Sequence, residues 1–233
     1  LVATSVFAGT MEVTGSAGIS LGSQEKSDTG NGFSSGDSIN FVGSSELDNG
    51  WTVTASMELD GGAQASDTAG SSQVFDDRSI AINMGDTGTL TFHGHGASSA
   101  LGAVDDVMPT AYGETWDILG ASTQVGAVAE VNAIGSGSSD NTWVYNNSSL
   151  ADGVSLTVSY TPSGTAEAES SVDAAIAYTG YDGLTVGYAQ GEDNAVAGTG
   201  SFDSDTMYAT YAYGPVTVGY QVSEIEGDTA TNT

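Results

Sequence analysis

The chain of 233 residues carries 30 acidic side chains against two bases, Lys26 and Arg78, for a net charge of −28; so few cations exclude a nucleic-acid binder, whose phosphates need Lys and Arg, and a basic patch on anionic lipid heads. It has no cysteine, which removes disulfides, thiol chemistry and cysteine-held metals. No stretch approaches the roughly 20 apolar residues of a spanning helix, which leaves a soluble protein, a surface fibre, or a barrel whose strands alternate in polarity.

The 33 Gly among abundant Ser, Thr, Asp and Asn would suit disorder, but 10 Tyr, 6 Phe and 3 Trp at regular spacing read as a folded all-β chain. The first ten residues, LVATSVFAGT, are small and apolar and run straight into an alternating strand. They read as the tail of a secretory signal peptide, with a genuine first strand as the alternative. Residues 1–10 are therefore set apart, and one β-barrel domain is expected over 11–233.

From there period-two alternation dominates. It appears in EVTGSAGISL (Val13, Ala17, Ile19, Leu21) and is clearest in WTVTASMELD. There Trp51, Val53, Ala55, Met57 and Leu59 are apolar and Thr52, Thr54, Ser56, Glu58 and Asp60 polar. GTLTF (Leu90, Phe92), VSLTVSY, LTVGY and PVTVGYQV repeat it. About eleven strands follow, at 12–22, 37–47, 51–60, 77–85, 89–95, 141–149, 154–161, 171–180, 184–190, 206–213 and 216–222. Five are launched by a tight glycine turn: Asp48–Gly50, Asp86–Gly88, Ala151–Gly153, Tyr181–Gly183 and Tyr213–Pro215. Each launched strand ends in a longer polar stretch, at 61–76, 96–140, 162–170, 191–204 and from 223 on.

Short turns at one end and long loops at the other describe a transmembrane β-barrel, with polar side chains inward and apolar ones on lipid. A soluble sandwich would bury the same apolar set in its core, and periodicity does not separate the two. Loop asymmetry, the leader-like start and an interfacial set of tyrosines (Tyr145, Tyr160, Tyr178, Tyr188, Tyr211, Tyr220) favour the membrane. One strand fits poorly. The apolar-parity face of 37–47 (Ile39, Phe41, Gly43, Ser45, Leu47) is too polar for lipid, and would suit a subunit interface or a different register.

No catalytic constellation is present. The two histidines, His93 and His95, share a strand face with Thr89 and Thr91, a set expected to line the pore lumen; no third metal ligand accompanies them. No G-x-S-x-G elbow occurs. No cofactor is expected, although the acidic loops offer oxygen ligands that Ca²⁺ could use. The 96–140 segment is long for a structureless connection and holds a Trp, a Tyr, a Met and several aliphatics. Something must bury it, and a barrel lumen would. Its acids Asp105, Asp106, Glu114 and Asp117 would then line a constriction favouring cations, unless they are merely solvated loop charges.

The leader-like start running into EVTGSAGISLG, the DNGWTVTASMELD hairpin, and FDDRSIAINMGDTGTLTFHGHGASSALGAVDD entering the third long loop together resemble the general porins of Gram-negative bacteria, in particular those of marine and phototrophic alphaproteobacteria. The resemblance implies an antiparallel barrel of about sixteen strands, homotrimeric, with an inward third loop. It implies Sec export, residence in the cell outer membrane among its lipid and lipopolysaccharide, and small hydrophilic solutes and cations as partners. The chain departs from the family in two ways. The wall opposite the acidic loop has almost no bases, and GDTATNT does not end as a closing strand, so roughly five strands of the barrel would be missing. The function expected is a non-enzymatic channel for passive diffusion, preferring cations; the alternatives are a secreted acidic β-rich surface protein, S-layer-like or a β-sandwich, and a binding module or hydrolase on a soluble β-scaffold.

Overall fold

The computed structural model describes residues 9–22, 32–60, 75–104, 107–109, 140–163, 170–193 and 202–227. They form one sheet of eleven antiparallel strands in which each strand pairs with its neighbours in sequence. The strands are β1 (Thr10–Gly22), β2 (Gly32–Glu46), β3 (Thr52–Asp60), β4 (Arg78–Asn83), β5 (Thr89–His95), β6 (Thr142–Ala151), β7 (Val154–Thr161), β8 (Ser171–Tyr181), β9 (Leu184–Asp193), β10 (Phe202–Tyr213) and β11 (Val216–Gly227). Two short 3-10 turns, Gly85–Thr87 and Gly102–Val104, are the only helical pieces among the described residues. β1 and β11 do not pair with each other, so the sheet stands open.

All five tight turns lie at one end, and each holds a glycine in the left-handed region: Gly50, Gly88, Gly153, Gly183 and Gly214. Two of them show why no larger residue fits. A Cβ on Gly153 would sit 2.5 Å from the Gly180 backbone, at a φ of 70° that already disfavours one. At Gly183 the next hairpin's Ala212 N–H donates to the glycine carbonyl at 2.8 Å, locking turn to strand.

The ladder register sorts the side chains into two faces. On one, Thr142 bonds Thr161 at 2.8 Å, Asn146 donates to Thr157 at 2.8 Å, Thr206 bonds Ser223 at 2.8 Å, and Asn40 donates to Glu58 at 3.1 Å. Such cross-strand polar pairs stabilise a sheet face that stays wet. The other face carries Trp143, Tyr160, Ile176, Tyr178, Val186, Tyr188, Met207, Val218, Tyr220 and Val222, and every one of them is exposed, Tyr220 at 71% and Val218 at 59%. A soluble sandwich would cover this face with a second layer. Here no described element lies against it, as expected of a wall that meets lipid.

The same register settles the awkward strand. Ile39 pairs Leu59, Phe41 pairs Met57, Gly43 pairs Ala55 and Ser45 pairs Val53, so the weakly apolar face of β2 points outward as first read. Several strand ends differ from expectation. β2 begins at Gly32, β9 runs to Asp193, β10 starts at Phe202 and β11 continues to Gly227. In these extensions the outward positions become Glu192, Asp203, Asp205, Glu224 and Glu226, paired across β9–β11. The backbone ladder continues there while hydrophobic alternation stops, so a pattern of polarity could not show it. Tyr188 marks the boundary: its hydroxyl donates upward to Gln190 at 3.1 Å. β4 is shorter than expected because Gly85, at φ 66°, opens the 3-10 turn. Thr10 already pairs with Ser44 in β1, while residues 1–8 lie outside the described part.

Candidate functional site

The polar face of β7–β11 is not empty. Immediately after β5 the chain turns at Gly96 (φ 77°) and lays residues 99–104 across it as a strap. Ser99 and Ala100 are buried, and Leu101 is fully enclosed. The strap is tied by its backbone: Ala100 N–H donates to Ser159 Oγ at 2.9 Å, and Ser159 Oγ–H donates in turn to Asp173 Oδ2 at 3.1 Å. Ser99 Oγ accepts from Gly102 N–H at 3.1 Å and the 3-10 turn closes with Val104 N–H to Leu101 O at 2.9 Å. At the far end Gln221 Nε2 donates to Val104 O at 3.0 Å.

The apolar contacts of the strap form the one core cluster among the described residues: Ala100, Leu101 and Val104 against Ala175, Ala189 and Tyr208, with Val107 and Met108 packed beside them. The wall accommodates it by being small. A Cβ on Gly191 would lie 2.8 Å from Leu101 Cδ1, and one on Gly219 would lie 2.6 Å from Pro109 Cδ. Burying a leucine here contributes about 2 kcal/mol in an otherwise hydrated interior. In fourteen or so residues the chain thus passes from the end of β5 to β11, with the inner face of β1–β4 left uncovered by any described element.

That uncovered wall is acidic. Glu12, Glu46 and Glu58 share the inward parity of Asn40 and Thr54, and Asp77, just ahead of β4, stands near Glu58. Desolvation, then Asp76 and Glu58, push Asp77 above the ordinary carboxylate range; His95 and His93 pull the other way less strongly. Arg78 is the only base among the described residues, and it shares the outer face of Met57, Ile80 and Phe92, its Nη2 donating to Gly94 O at 3.1 Å.

The sequence model of the Gram-negative porin family matches residues 1–233. The chain belongs to the Gram-negative porin family. Among solved structures, this porin is similar to Salmonella typhi OmpF in complex with daunomycin, at 16% identity and TM-score 0.60, over 94% of this chain and 66% of that one. It is similar to the loop-L8 deletion mutant of Vibrio cholerae OmpT at 14% identity and TM-score 0.61, over 97% and 72%. A triple mutant of Rhodopseudomonas blastica porin matches at 19% identity and TM-score 0.44, over 94% and 86%. No curated protein sequence matches. The chain thus spans 66% of the length of the OmpF chain it resembles. The first two likenesses give the fold, and the family gives the place: this porin is a β-barrel protein of the outer membrane.

Of the pore-lining set, Thr89, Thr91 and His93 pair with Asn146, Val144 and Thr142 and lie on the polar face of the porin sheet. His95 is separated from them. Arg78 pairs His95 while Ser79 pairs His93, so Gly94 is an extra bulged residue, and beyond it His95 Nδ1 contacts Asp140 Oδ1. That pair joins the two ends of the 96–139 loop. Among the described residues no three His, Asp or Glu side chains converge as a metal site. Asp105, Asp106, Glu114 and Asp117 lie outside the described residues. The residues that hold the strap (Ser159, Asp173, Gly191 and Gln221) were not singled out by sequence. A signal existed in Asp173, an acid at inward parity in a strand rich in alanine, and in Ala175, Ala189 and Gly191, small residues at inward parity on two neighbouring strands.

Proposed function

We propose that this porin forms a water-filled, non-enzymatic channel through which small hydrophilic solutes diffuse passively, with a preference for cations. The observation that carries the reading is the strap: a third long connection folded onto the polar face, its Leu101 fully buried there, narrows the interior rather than extending into solvent. Charge sets the preference. Only two bases exist in the whole sequence, Arg78 faces outward, and Glu12, Glu46 and Glu58 stand on the wall the strap leaves open. Negative side chains around a narrow aqueous path concentrate cations and repel anions.

Asp105 and Asp106 belong at the constriction in this reading, because Val104 and Val107 on either side of them pack into the strap's cluster; Glu114 and Asp117 extend the same acidic rim. Thr89, Thr91 and His93 line the wider lumen, and His95, beyond the bulge and against Asp140, stands at its edge. The weakly apolar outward face of β1–β3, with Gly15, Ala17, Gly43, Ser45 and Ala55, suits protein rather than lipid, which fits assembly as a homotrimer through that face. Lipid and lipopolysaccharide would cover the remaining outer surface, and Ca²⁺ is a candidate ligand for the acidic loops.

The test is the reversal potential of the full-length protein in a planar bilayer across a KCl gradient. Stepwise conductance with a potential favouring K⁺ is expected. A zero or Cl⁻-favouring potential would retain the channel and overturn the charge assignment; folded protein that never conducts would overturn the channel itself.

A further inference from the structure

The strap has three kinds of anchor, and they differ in what water can do to them. The Ala100–Ser159–Asp173 chain and the Gln221–Val104 bond join groups that water in a hydrated lumen would also satisfy, so each exchanges one partner for another at small net gain. The seat of Leu101 has no such substitute. Its side chain is wholly enclosed, with Gly191 directly beside it and Ala175, Ala189 and Tyr208 in the same buried cluster. Those positions have inward parity, where β6, β7 and β10 carry Thr142, Ser159, Thr161, Ser204 and Thr206. At Gly191 the missing side chain makes room for the leucine, since a Cβ there would already lie 2.8 Å from Leu101 Cδ1.

From this we propose that Leu101 is the positioning residue that sets the size limit of the channel, holding the strap at a fixed height by insertion into the Ala175–Ala189–Gly191 notch. The inference rests on the channel reading above. The side of the notch is braced: Asp173 lies against Gly191 and is itself held by Ser159, so a Cβ added at Gly191 would collide with both Asp173 and Leu101. Beyond Leu101 the strap is caught again where Met108 and Pro109 pass over Gly219. Asp105 and Asp106 lie in sequence between these two points. Releasing the first leaves the strap held only by the second and by exchangeable hydrogen bonds, and interiors hold position through complementary packing more than through such bonds.

The experiment compares Leu101→Ala, Gly191→Ala, Leu101→Met and Gln221→Leu in the full-length protein. It reads unitary conductance, the smallest neutral polyethylene glycol that fails to enter the pore, and the heat-induced mobility shift of the barrel. Leu101→Ala is expected to admit glycols that the parent excludes and to lower K⁺ preference at least twofold. Gly191→Ala, which lifts the strap from the wall into the lumen, is expected to exclude glycols that the parent admits, with the mobility shift kept in both. Leu101→Met fills the same notch and is expected to match the parent; Gln221→Leu is expected to move the size limit less than either notch variant. Should Leu101→Ala fail to assemble, Gly191→Ala decides, since it presses on Leu101 from the wall. A parent-like size limit in the notch variants that assemble, or a change in Leu101→Met as large as in Leu101→Ala, overturns the proposal. A parent that does not conduct overturns the channel reading instead, and the two failures are told apart by the parent alone.

Discussion

Asp77 shows how a single side chain reports the surroundings of the pore. Its carboxyl is held above the ordinary aspartate value of 3.8 by desolvation and by the neighbouring Asp76 and Glu58. A raised folded-state value means the folded protein holds this proton more tightly than the unfolded chain does. Its stabilising effect is therefore complete below 3.8 and is lost as pH rises through the folded value; at neutral pH the ionised group opposes folding. Asp77→Asn is expected to raise the thermal unfolding midpoint at pH 7 and to leave it nearly unchanged at pH 3, measured by the heat-induced mobility shift. The same variant is expected to weaken K⁺ preference at pH 7. The turn glycines were legible in sequence because Gly beside Asp or Asn demands a local conformation. Asp77's environment was not, because Glu58, His93 and His95 reach it from other strands.

At the scale of elements, the two faces make opposite demands on neighbouring residues of one strand. Ile80 stands outward and 52% exposed, while Ala81, the next residue, pairs with Thr54 and Thr91 on the polar face. Ile80→Arg is expected to cost about 2 kcal/mol or more in bilayer-reconstituted unfolding, since a charge on the lipid face must leave water. Ala81→Arg is expected to fold within about 1 kcal/mol of the parent and to lower K⁺ preference, because it adds a base to a lumen that has none on the described strands. Similar losses of stability in both variants would refute the face assignment. Nearly all eleven strands could be read from alternation, because half-buried strands impose a period of two. The ends of β9, β10 and β11 could not, since Glu192, Asp203, Asp205, Glu224 and Glu226 are polar on the outward side too. The strap was foreseen as something buried from its apolar content, but its seat was not. The notch is assembled from three residues on two strands, and only the ladder brings them together.

At the scale of the whole molecule the pairing is a meander, every strand bonded to its neighbours in sequence. Local pairing of this kind lets each hairpin form with little loop-closure cost. The strap is the exception: Val104 and Gln221, 117 positions apart in sequence, meet only once β11 is in place. The strap is thus fully seated only after the wall it rests on.

The outward acids of β9–β11 bear on current as well as on boundaries. Glu192, Asp203, Asp205, Glu224 and Glu226 cluster at the loop end of three adjacent strands, where a channel along the polar face would open. Fixed charge at an entrance holds a reservoir of counterions whose local concentration depends on surface potential more than on the bath. When the Debye length grows to about 30 Å near 0.01 M salt, that reservoir spans the entrance; near 1 M, at about 3 Å, it vanishes. Conductance should therefore fall far less than in proportion as KCl is diluted, flattening toward a plateau at the lowest concentrations. Neutralising the five carboxylates to amides should steepen the dependence toward proportionality, the acids of the inner wall keeping a smaller residual plateau.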